Sequence, residues 1–445
     1  MPSDLRPPLH RHHDGRSQQP LLTGKPPAYD DRDDLPAVSP RRSTFHERDP
    51  DVLAARATRQ RYIYASFFLV LSLVSFVVQT ETAVYIANEL KWRKSYCMLY
   101  FTHGSWSLLW LVQLAILRIQ KWHLPWEPFW KRHVQILTQT AQMVEHQTLH
   151  LNGFQQKKSP VPYMIRTTAF VTCCLTLAGG SWYVAVNLTT ASDLTAIYNC
   201  SAFFAYVFSV PLLKERVRMS KVAAVAVAII GVIIVAYGPG VAPKHGSKSG
   251  GGAGGPKHPT NEPAARGFGN LVIAIGSMLY GFYEVLYKKV ACPPDGCSPG
   301  RGMIFANTFG SLIGLFTLTV LWIPLPILHI TGIETFELPR GEAAWMLLIS
   351  VLSNATFSGS FLVLISLTSP VLSSVAALLT IFIVAIVDEL LPEPMKNKLT
   401  PSAIIGGLLI IGAFLVLSWA TYREMDEERR KKLEEESEDE SVLGD

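Results

Sequence analysis

The chain has 445 residues, of which 49% are hydrophobic and 17% charged, against about 25% charged in ordinary soluble chains. Mean hydropathy is +0.23 although both ends are strongly polar. This composition argues against a soluble enzyme, a nucleic-acid-binding domain and a disulfide-rich secreted module. The net charge of +5 is scattered through tails and short loops and forms no basic face.

Residues 1–61 are rich in Pro, Arg, Asp and Ser and lack a sustained hydrophobic period, which predicts a disordered tail. They carry Pro26-Pro27-Ala28-Tyr29. This PPxY sequence resembles the ligand of WW domains, as found in Nedd4-type ubiquitin ligases, whose aromatic grooves take preset extended Pro-rich segments. Four residues also recur by chance. Ser39-Pro40-Arg41-Arg42 looks like a proline-directed kinase site or a basic linker.

A membrane-spanning helix needs about 20 mostly apolar residues. Ten stretches qualify: 62–85, 96–117, 163–187, 190–212, 220–238, 268–288, 303–328, 343–366, 370–391 and 401–421. Only Asn187–Thr190 divides the third from the fourth, and merging them gives nine. The first follows a long polar segment with no small-residue cleavage site after it, so it reads as a span and not as a signal peptide. With ten spans, 22 flanking lysines and arginines fall on the side of both termini and 10 on the other, which places both termini in the cytosol. The basic 91–94 loop is the main dissenting feature.

The 118–162 loop, on the cytosolic side, carries Trp122, Trp126, Phe129 and Trp130, which suggests a segment lying on the membrane surface. Its His146 and His150 lack the second acid of a zinc-protease pattern, so no metal site is expected. Residues 239–266 form a Gly-rich, non-cytosolic linker. Residues 422–445 form an acidic cytosolic tail; from Arg423 onward it has 11 acidic and 5 basic residues, with Glu427 and Glu428 four residues before Lys431 and Lys432, as in an exposed extension of the last helix. Four of the six cysteines lie within spans as small apolar fillers. Cys292 and Cys297 bracket a Pro-Pro-Asp-Gly turn, and two thiols do not make a zinc site. The sequons at Asn187, Asn199 and Asn354 lie in or against spans, which disfavours glycosylation.

Five spans (62–238), a linker and five more spans (267–421) suggest a duplication. Leu188-Thr189-Thr190 opens the fourth span and Leu367-Thr368-Ser369 the ninth; Leu212-Leu213-Lys214-Glu215 closes the fourth and Leu390-Leu391-Pro392-Glu393 the ninth. An odd number of helices per unit inverts the second copy across the membrane, a common transporter plan. The expected fold is therefore all-α and integral to the membrane, with ten transmembrane helices as two inverted five-helix repeats.

The stretch from Asp193 through Tyr198-Asn199-Cys200 to Phe204, running on to Leu213-Lys214-Glu215-Arg216, resembles the fourth helix and following loop of the drug/metabolite transporter superfamily, the EamA type. Ser277-Met278-Leu279-Tyr280-Gly281-Phe282-Tyr283-Glu284-Val285-Leu286-Tyr287-Lys288 resembles the sixth helix of the F branch of solute carrier family 35, and the similarity points to a fungal member. The resemblance covers roughly 62–421. It implies a central cavity and alternating access by a secondary transporter, not an enzyme. It leaves the substrate open among amino acids, drugs, nucleotide sugars and thiamine-like compounds.

Ionisable groups inside spans are costly and are functional candidates. Glu81 lies late in the first span, Asp193 opens the fourth and Glu284 lies in the sixth. Inversion puts Glu81 and Glu284 near opposite mouths of the cavity, where they would serve as gates or proton carriers. Each has a plainer reading: Glu81 as an interfacial residue, Asp193 as a helix cap, Glu284 as the i, i+4 partner of Lys288. Tyr280, Tyr283 and Tyr287 share a helical face with Glu284, so carboxylate and rings together suit an organic cation, unless the rings form an interfacial belt. Trp182, Tyr198 and Asn199, with Asn307 and Asn354, add stacking or polar contacts, or bond helix to helix. No Lys or Arg occupies the middle of a span, and anionic solutes need fixed cationic partners. This favours a neutral or cationic solute over a nucleotide sugar. No P-loop is present, so neither ATP coupling nor any cofactor is expected. Gly310-Ser311-Leu312-Ile313-Gly314 is a GxxxG pattern for close packing.

The partners expected are a small-molecule solute, the lipid bilayer, a WW-domain ligase and a second copy as a homodimer, with no nucleic acid. The competing class is a membrane scaffold working through the tail. The membrane itself, endomembrane or plasma membrane, stays open.

Overall fold

The computed structural model describes residues 50–92, 94–186, 188, 197–237, 263–294, 296–390 and 400–442. The chain divides into two units, Met1–Ala54 and Ala55–Asp445; of the first, only the opening of helix α1 is described. The PPxY residues Pro26, Pro27 and Tyr29, the candidate Asp193 and the 239–262 part of the linker lie outside the described residues.

Among the described residues every regular element is helical. In chain order these are α1 (Pro50–Asn88), α2 (Ser95–Gly104), α3 (Leu108–Gln120), α4 (Trp126–His146), α5 (Gly153–Lys157), α6 (Val161–Val186), α7 (Ser201–Leu213) and α8 (Met219–Tyr237). There follow α9 (Pro263–Ala291), α10 (Pro299–Val320), α11 (Pro324–Ile330), α12 (Glu342–Leu367), α13 (Pro370–Ala377), α14 (Leu379–Leu390) and α15 (Pro401–Val442). Among the described residues, six helical stretches are long and apolar enough to cross a membrane: Arg59–Ala83, Val161–Trp182, Gly267–Ala291, Pro299–Ile330, Glu342–Leu367 and Pro401–Glu424. Ile197–Leu213, Met219–Val235 and Pro370–Val384 are shorter apolar helices. The protein is a multi-pass membrane protein. Its outward faces agree: Phe67, Val70 and Val74 on α1, and Leu408, Leu415 and Trp419 on α15, are all more than half exposed. Water would penalise such stripes, whereas lipid does not.

The second expected span, 96–117, is not one helix. A 3₁₀ turn at Ser105–Ser107 separates α2 from α3. Ser311 of α10 serves this break with its side chain. Its Oγ donates to the carbonyls of Trp106 (3.2 Å) and Ser107 (3.0 Å) and accepts from the Trp110 amide at 2.7 Å. Gly314 makes the approach possible, because a Cβ there would run into the backbone of Trp106 and Ser107. The GxxxG pattern thus packs α10 against a broken helix.

The basic 91–94 loop meets acids through Lys94 and the helix that follows it. Glu334 accepts from the amides of Tyr96 and Cys97, at 2.9 Å each, and so caps α2. Lys94 lies 3.7 Å from Glu337. The 118–162 segment holds α4, whose Phe129, His133, Thr140, Ala141 and Val144 are buried while Trp126 and Trp130 are exposed and stacked with centroids 5.9 Å apart. At the far end α15 continues to Val442, with i, i+4 pairs Arg423–Glu427 and Asp426–Arg430. It is tied to the α7–α8 connection by Lys221, whose ammonium meets Glu215 (3.1 Å) and Glu424 (2.5 Å), and by Arg218, which meets Glu427 at 2.9 Å.

The largest buried cluster joins α9, α10 and α12 with α6 and includes Tyr283, Tyr287, Phe305, Phe309, Leu362 and Ile365. Phe68 and Leu69 of α1 pack on it. A second cluster joins α7, α8, α13 and α15. Helix α9 approaches α7 closely at Gly281, where a Cβ would lie 2.7 Å from the Ser201 carbonyl oxygen and the Ala205 nitrogen.

Candidate functional site

The Gly281 crossing sets the face of α9 that carries Tyr280, Tyr283 and Glu284. Glu284 is fully buried. Its Oε2 accepts a hydrogen bond from the Ser374 hydroxyl of α13, while its Oε1 has no partner. Lys288, one turn on, turns elsewhere. Its Nζ donates to the carbonyls of Ile365 (3.2 Å), Ser366 (3.0 Å) and Thr368 (3.0 Å), at the end of α12. Cations suit a helix C-terminus because its last carbonyls lack intrahelical donors. Arg61 of α1 adds a bond from its Nε to the Leu367 carbonyl.

Tyr280 and Tyr283 share the helix face of the acid, and Tyr198 joins them through Tyr280. Tyr280 lies 5.4 Å from Tyr198 and 5.7 Å from Tyr283, centroid to centroid, and both pairs are tilted. These separations fit favourable aromatic pairs. The Tyr198 carbonyl accepts from Ser277 at 3.0 Å, which fastens the start of the Ile197–Leu213 stretch to α9. Tyr287 belongs to the packing and not to an interfacial belt: it is fully buried, its hydroxyl donates to the Leu362 carbonyl at 3.3 Å, and its ring meets Phe309 at 5.7 Å. Trp182 packs beside Tyr198 against Ala185 and Ile273, at the edge of this group. Asn199 is half-buried and helical, directly after Tyr198 and before the break at Cys200.

The sequence candidates Glu284, Tyr280, Tyr283 and Tyr198 are thus brought together, with Trp182 and Asn199 alongside. Glu81 is half-buried on α1, 12 residues beyond Leu69, or about 18 Å along the axis from where that helix touches the main cluster. Asn354 bonds helix to helix, accepting from Trp106 Nε1 at 2.8 Å. Sequence reasoning missed Ser374, because a serine in an apolar run has no signal of its own. Ser369-Pro370 does announce the start of α13: the Ser369 side chain caps it, accepting from the Leu372 amide at 3.2 Å. It also missed Tyr206 of α7, whose buried hydroxyl has no partner.

Residues 147–237, which include α6, α7 and α8, match the EamA-like transporter family. An uncharacterised transporter of Schizosaccharomyces pombe is 28% identical over 286 residues, 63% of this chain and 77% of that protein. The thiamine-repressible mitochondrial transport protein of Saccharomyces cerevisiae is 25% identical over 247 residues, 53% of this chain and 60% of that protein. Solute carrier family 35 member F5 of Bos taurus is 27% identical over 217 residues, 48% of this chain and 36% of that protein. The chain is thus similar to drug/metabolite transporters, on their solute carrier 35 F-like side. Its relatives are transporters and not enzymes. The chain spans less than two thirds of the Saccharomyces cerevisiae and bovine relatives. Glu284 and Ser374 lie beyond the segment that matches the family model.

Proposed function

We propose that the protein is a ten-helix secondary transporter that moves a small neutral or cationic organic solute by alternating access, with Glu284 and the rings of Tyr198, Tyr280 and Tyr283 at its binding site. The observation that carries this reading is the fully buried Glu284 carboxylate, which has one unpartnered oxygen and shares its helix face with Tyr280 and Tyr283. A buried charge without a full set of partners is too costly to keep for packing alone. A cation replaces the missing partner, and aromatic faces attract it further. When no solute is bound, a proton on Glu284 serves the same end.

Two inverted repeats are supported by two features. The Ile197–Leu213 stretch is interrupted at Cys200, and the 370–390 stretch at Leu378. These interruptions lie 178 residues apart, the offset that aligns Leu212–Glu215 with Leu390–Glu393. Discontinuous helices at matching positions are where inverted-repeat transporters hold solute. Second, α8 and α15 meet reciprocally: a Cβ on Gly231 would meet the Gly406 carbonyl oxygen at 2.8 Å, and one on Gly406 the Gly231 carbonyl oxygen at 2.6 Å. A two-fold relation produces such mutual contacts. In this reading the repeats are 62–238 and 267–421, both termini are cytosolic, and the bonds from Arg61 and Lys288 to the end of α12 hold the cytosolic mouth closed.

The test is ligand-dependent thermal stabilisation of the purified protein against organic cations including thiamine, amino acids, purines and nucleotide sugars. Binding to the folded state raises apparent stability by mass action. The expected result is a rise with a cation that Glu284→Gln loses. A rise with nucleotide sugars alone would contradict the substrate class.

A further inference from the structure

We propose that two exposed aromatic patches, one on α4 and one around α11, are anchors that sit in the headgroup zones of the two opposite leaflets of the bilayer. The antiparallel run of α2–α3 against α10 fixes where the patches lie. The Tyr96 hydroxyl donates to the Leu321 carbonyl at 2.9 Å, the Tyr100 hydroxyl to the Leu318 carbonyl at 3.2 Å, and Gln113 Nε2 to the Ile304 carbonyl at 3.3 Å. The end of α3 therefore stands near the start of α10, and the end of α10 near the start of α2. From Tyr96 to Gln120 the chain rises about 36 Å, at about 1.5 Å per residue. The hydrocarbon core of a bilayer is about 30 Å thick, and about 40–45 Å with its headgroups. Trp122 follows one end of this segment and Trp322 stands beside the other, so both fall in the zone between acyl chains and water.

Helix α4 lies across its end of the bundle. Arg118 folds the turn that leads into it: Nη1 donates to the carbonyls of Lys121 (3.1 Å) and Leu124 (2.7 Å), and the guanidinium lies 5.8 Å from the Trp126 ring. At the other end of α4, Gln147 Nε2 donates to the Cys292 carbonyl just after α9 at 3.4 Å, and Arg301 at the start of α10 meets Met143 Sδ at 3.7 Å. Both ends of this 21-residue helix are thus held where α3 and α9 finish and α10 begins, which sets α4 in the membrane plane. Its sides divide accordingly. Phe129, His133, Thr140 and Val144 are buried against the protein, while Trp126, Trp130 and Val134, spaced i, i+4, are exposed on the adjoining stripe. Glu127 and Lys131, paired at 2.7 Å, are exposed beyond that stripe. Protein, lipid and water each meet one side, as suits an interfacial helix. The aromatic stripe also continues the exposed face of Val112, Ile116 and Ile119 on α3.

At the opposite end, Pro299–Ile330 is apolar over 32 residues, more than a crossing needs. The chain turns after Val320, and Trp322, Ile327, Ile330 and Ile333 are half or more exposed. The Trp322 indole N–H is satisfied by the Thr319 carbonyl at 3.1 Å, and the bonds from Glu334 hold this segment against the start of α2. Water penalises both patches, whereas indole rings favour the membrane interface. The inference does not depend on Glu284 or on transport.

The experiment uses the full chain reconstituted in phosphatidylcholine vesicles. Wild-type tryptophan emission minus that of a Trp122→Phe, Trp126→Phe, Trp130→Phe triple variant isolates the α4 patch. The difference from Trp322→Phe isolates the α11 patch. Each difference is measured with lipids brominated near the headgroup, with lipids brominated near the chain ends, and with iodide on both sides of the membrane. Both patches are expected to be quenched about twofold more strongly by the shallow bromines than by the deep ones. The substitutions keep a ring at exposed positions, and an unchanged unfolding temperature checks the fold; Trp126→Phe alone gives the same comparison if the triple variant is destabilised. Equal or stronger quenching by the deep bromines would place the rings in hydrocarbon and overturn the proposal. Quenching by iodide alone would place them in water and overturn it too. Quenching by none of the three would show a protein surface, a second copy included, covering the patches, which also overturns it.

Discussion

Glu284 and Ser374 form a pair whose two halves have unequal value. Ser374 supplies the one hydrogen bond that Glu284 makes, in a place where water cannot substitute. Ser374→Ala is therefore expected to destabilise the protein by about 1–3 kcal/mol, the usual cost of stripping a buried polar group of its partner. The same change on a Glu284→Gln background is expected to cost less, because the pair is already weakened. Unfolding of the four detergent-solubilised species in parallel measures this coupling; additive losses would contradict it. The acid and its rings were legible in the sequence because i, i+3 and i+4 spacing places Tyr280, Tyr283 and Glu284 on one face wherever the helix sits. The alternative of an i, i+4 pair with Lys288 was equally legible. What separates the two is tertiary: the carbonyls at the end of α12 lie within reach of Lys288, and no local pattern encodes that.

At the scale of elements, the close crossing of α10 on the broken α2–α3 segment depends on Gly314. Gly314→Ala is expected to cost at least about 1–3 kcal/mol through overpacking, since its Cβ would meet backbone and not a flexible side chain. Gly412→Ala in α15, where a Cβ meets nothing within 4 Å, is expected to be neutral or to stabilise by up to about 1 kcal/mol through helix propensity. Size-exclusion profiles after heating distinguish the two. The glycine spacing was readable in advance, but the break at Ser105–Ser107 was not. The 95–120 stretch is apolar enough on average to read as one span despite the Thr102-His103-Gly104-Ser105-Trp106-Ser107 run, and its interruption is stabilised by Ser311, some 200 residues away.

Helix α4 offers a pH test. His133 is buried against Trp110, Phe129 and Trp130, and its Nε2 accepts from Trp110 Nε1 at 3.2 Å. That bond requires the neutral ring. Burial lowers the pKa of His133 below its ordinary 6.5. The unfolded chain therefore binds this proton more readily than the folded one. The contribution of His133 to stability is complete above about pH 6.5 and falls as pH drops toward the folded-state value. Replacing it by Gln is expected to flatten the dependence of unfolding temperature on pH between about 5 and 7. An unchanged slope would show that the folded and unfolded chains bind the His133 proton equally well over that range.

For the whole molecule, composition and hydropathy were enough to establish a multi-pass helical membrane protein, because about 20 apolar residues per crossing leave a signal that folding does not alter. Crossing boundaries were less legible. Helix α1 begins at Pro50 and α9 at Pro263, both inside segments expected to be tail and linker, because a helix continues into water wherever its residues tolerate it. Helix α15 does the same through Val442, and its charges find partners in Arg218 and Lys221. Sequence spacing gave no hint of that link, which joins the last helix to the α7–α8 connection. The proposed duplication, read from short matching motifs, predicts paired features, and the interruptions at Cys200 and Leu378 and the mutual glycine contact of α8 and α15 are of that kind.

The central claim is that a solute crosses the membrane through a site organised by Glu284. The most direct measurement is uptake of a labelled organic cation, thiamine first, into proteoliposomes across a range of pH, for the wild type and for Glu284→Gln reconstituted at equal density. The account predicts saturable, pH-dependent uptake by the wild type and its loss, or loss of its pH dependence, in the variant. Uptake by Glu284→Gln with unchanged rate and pH dependence would contradict it.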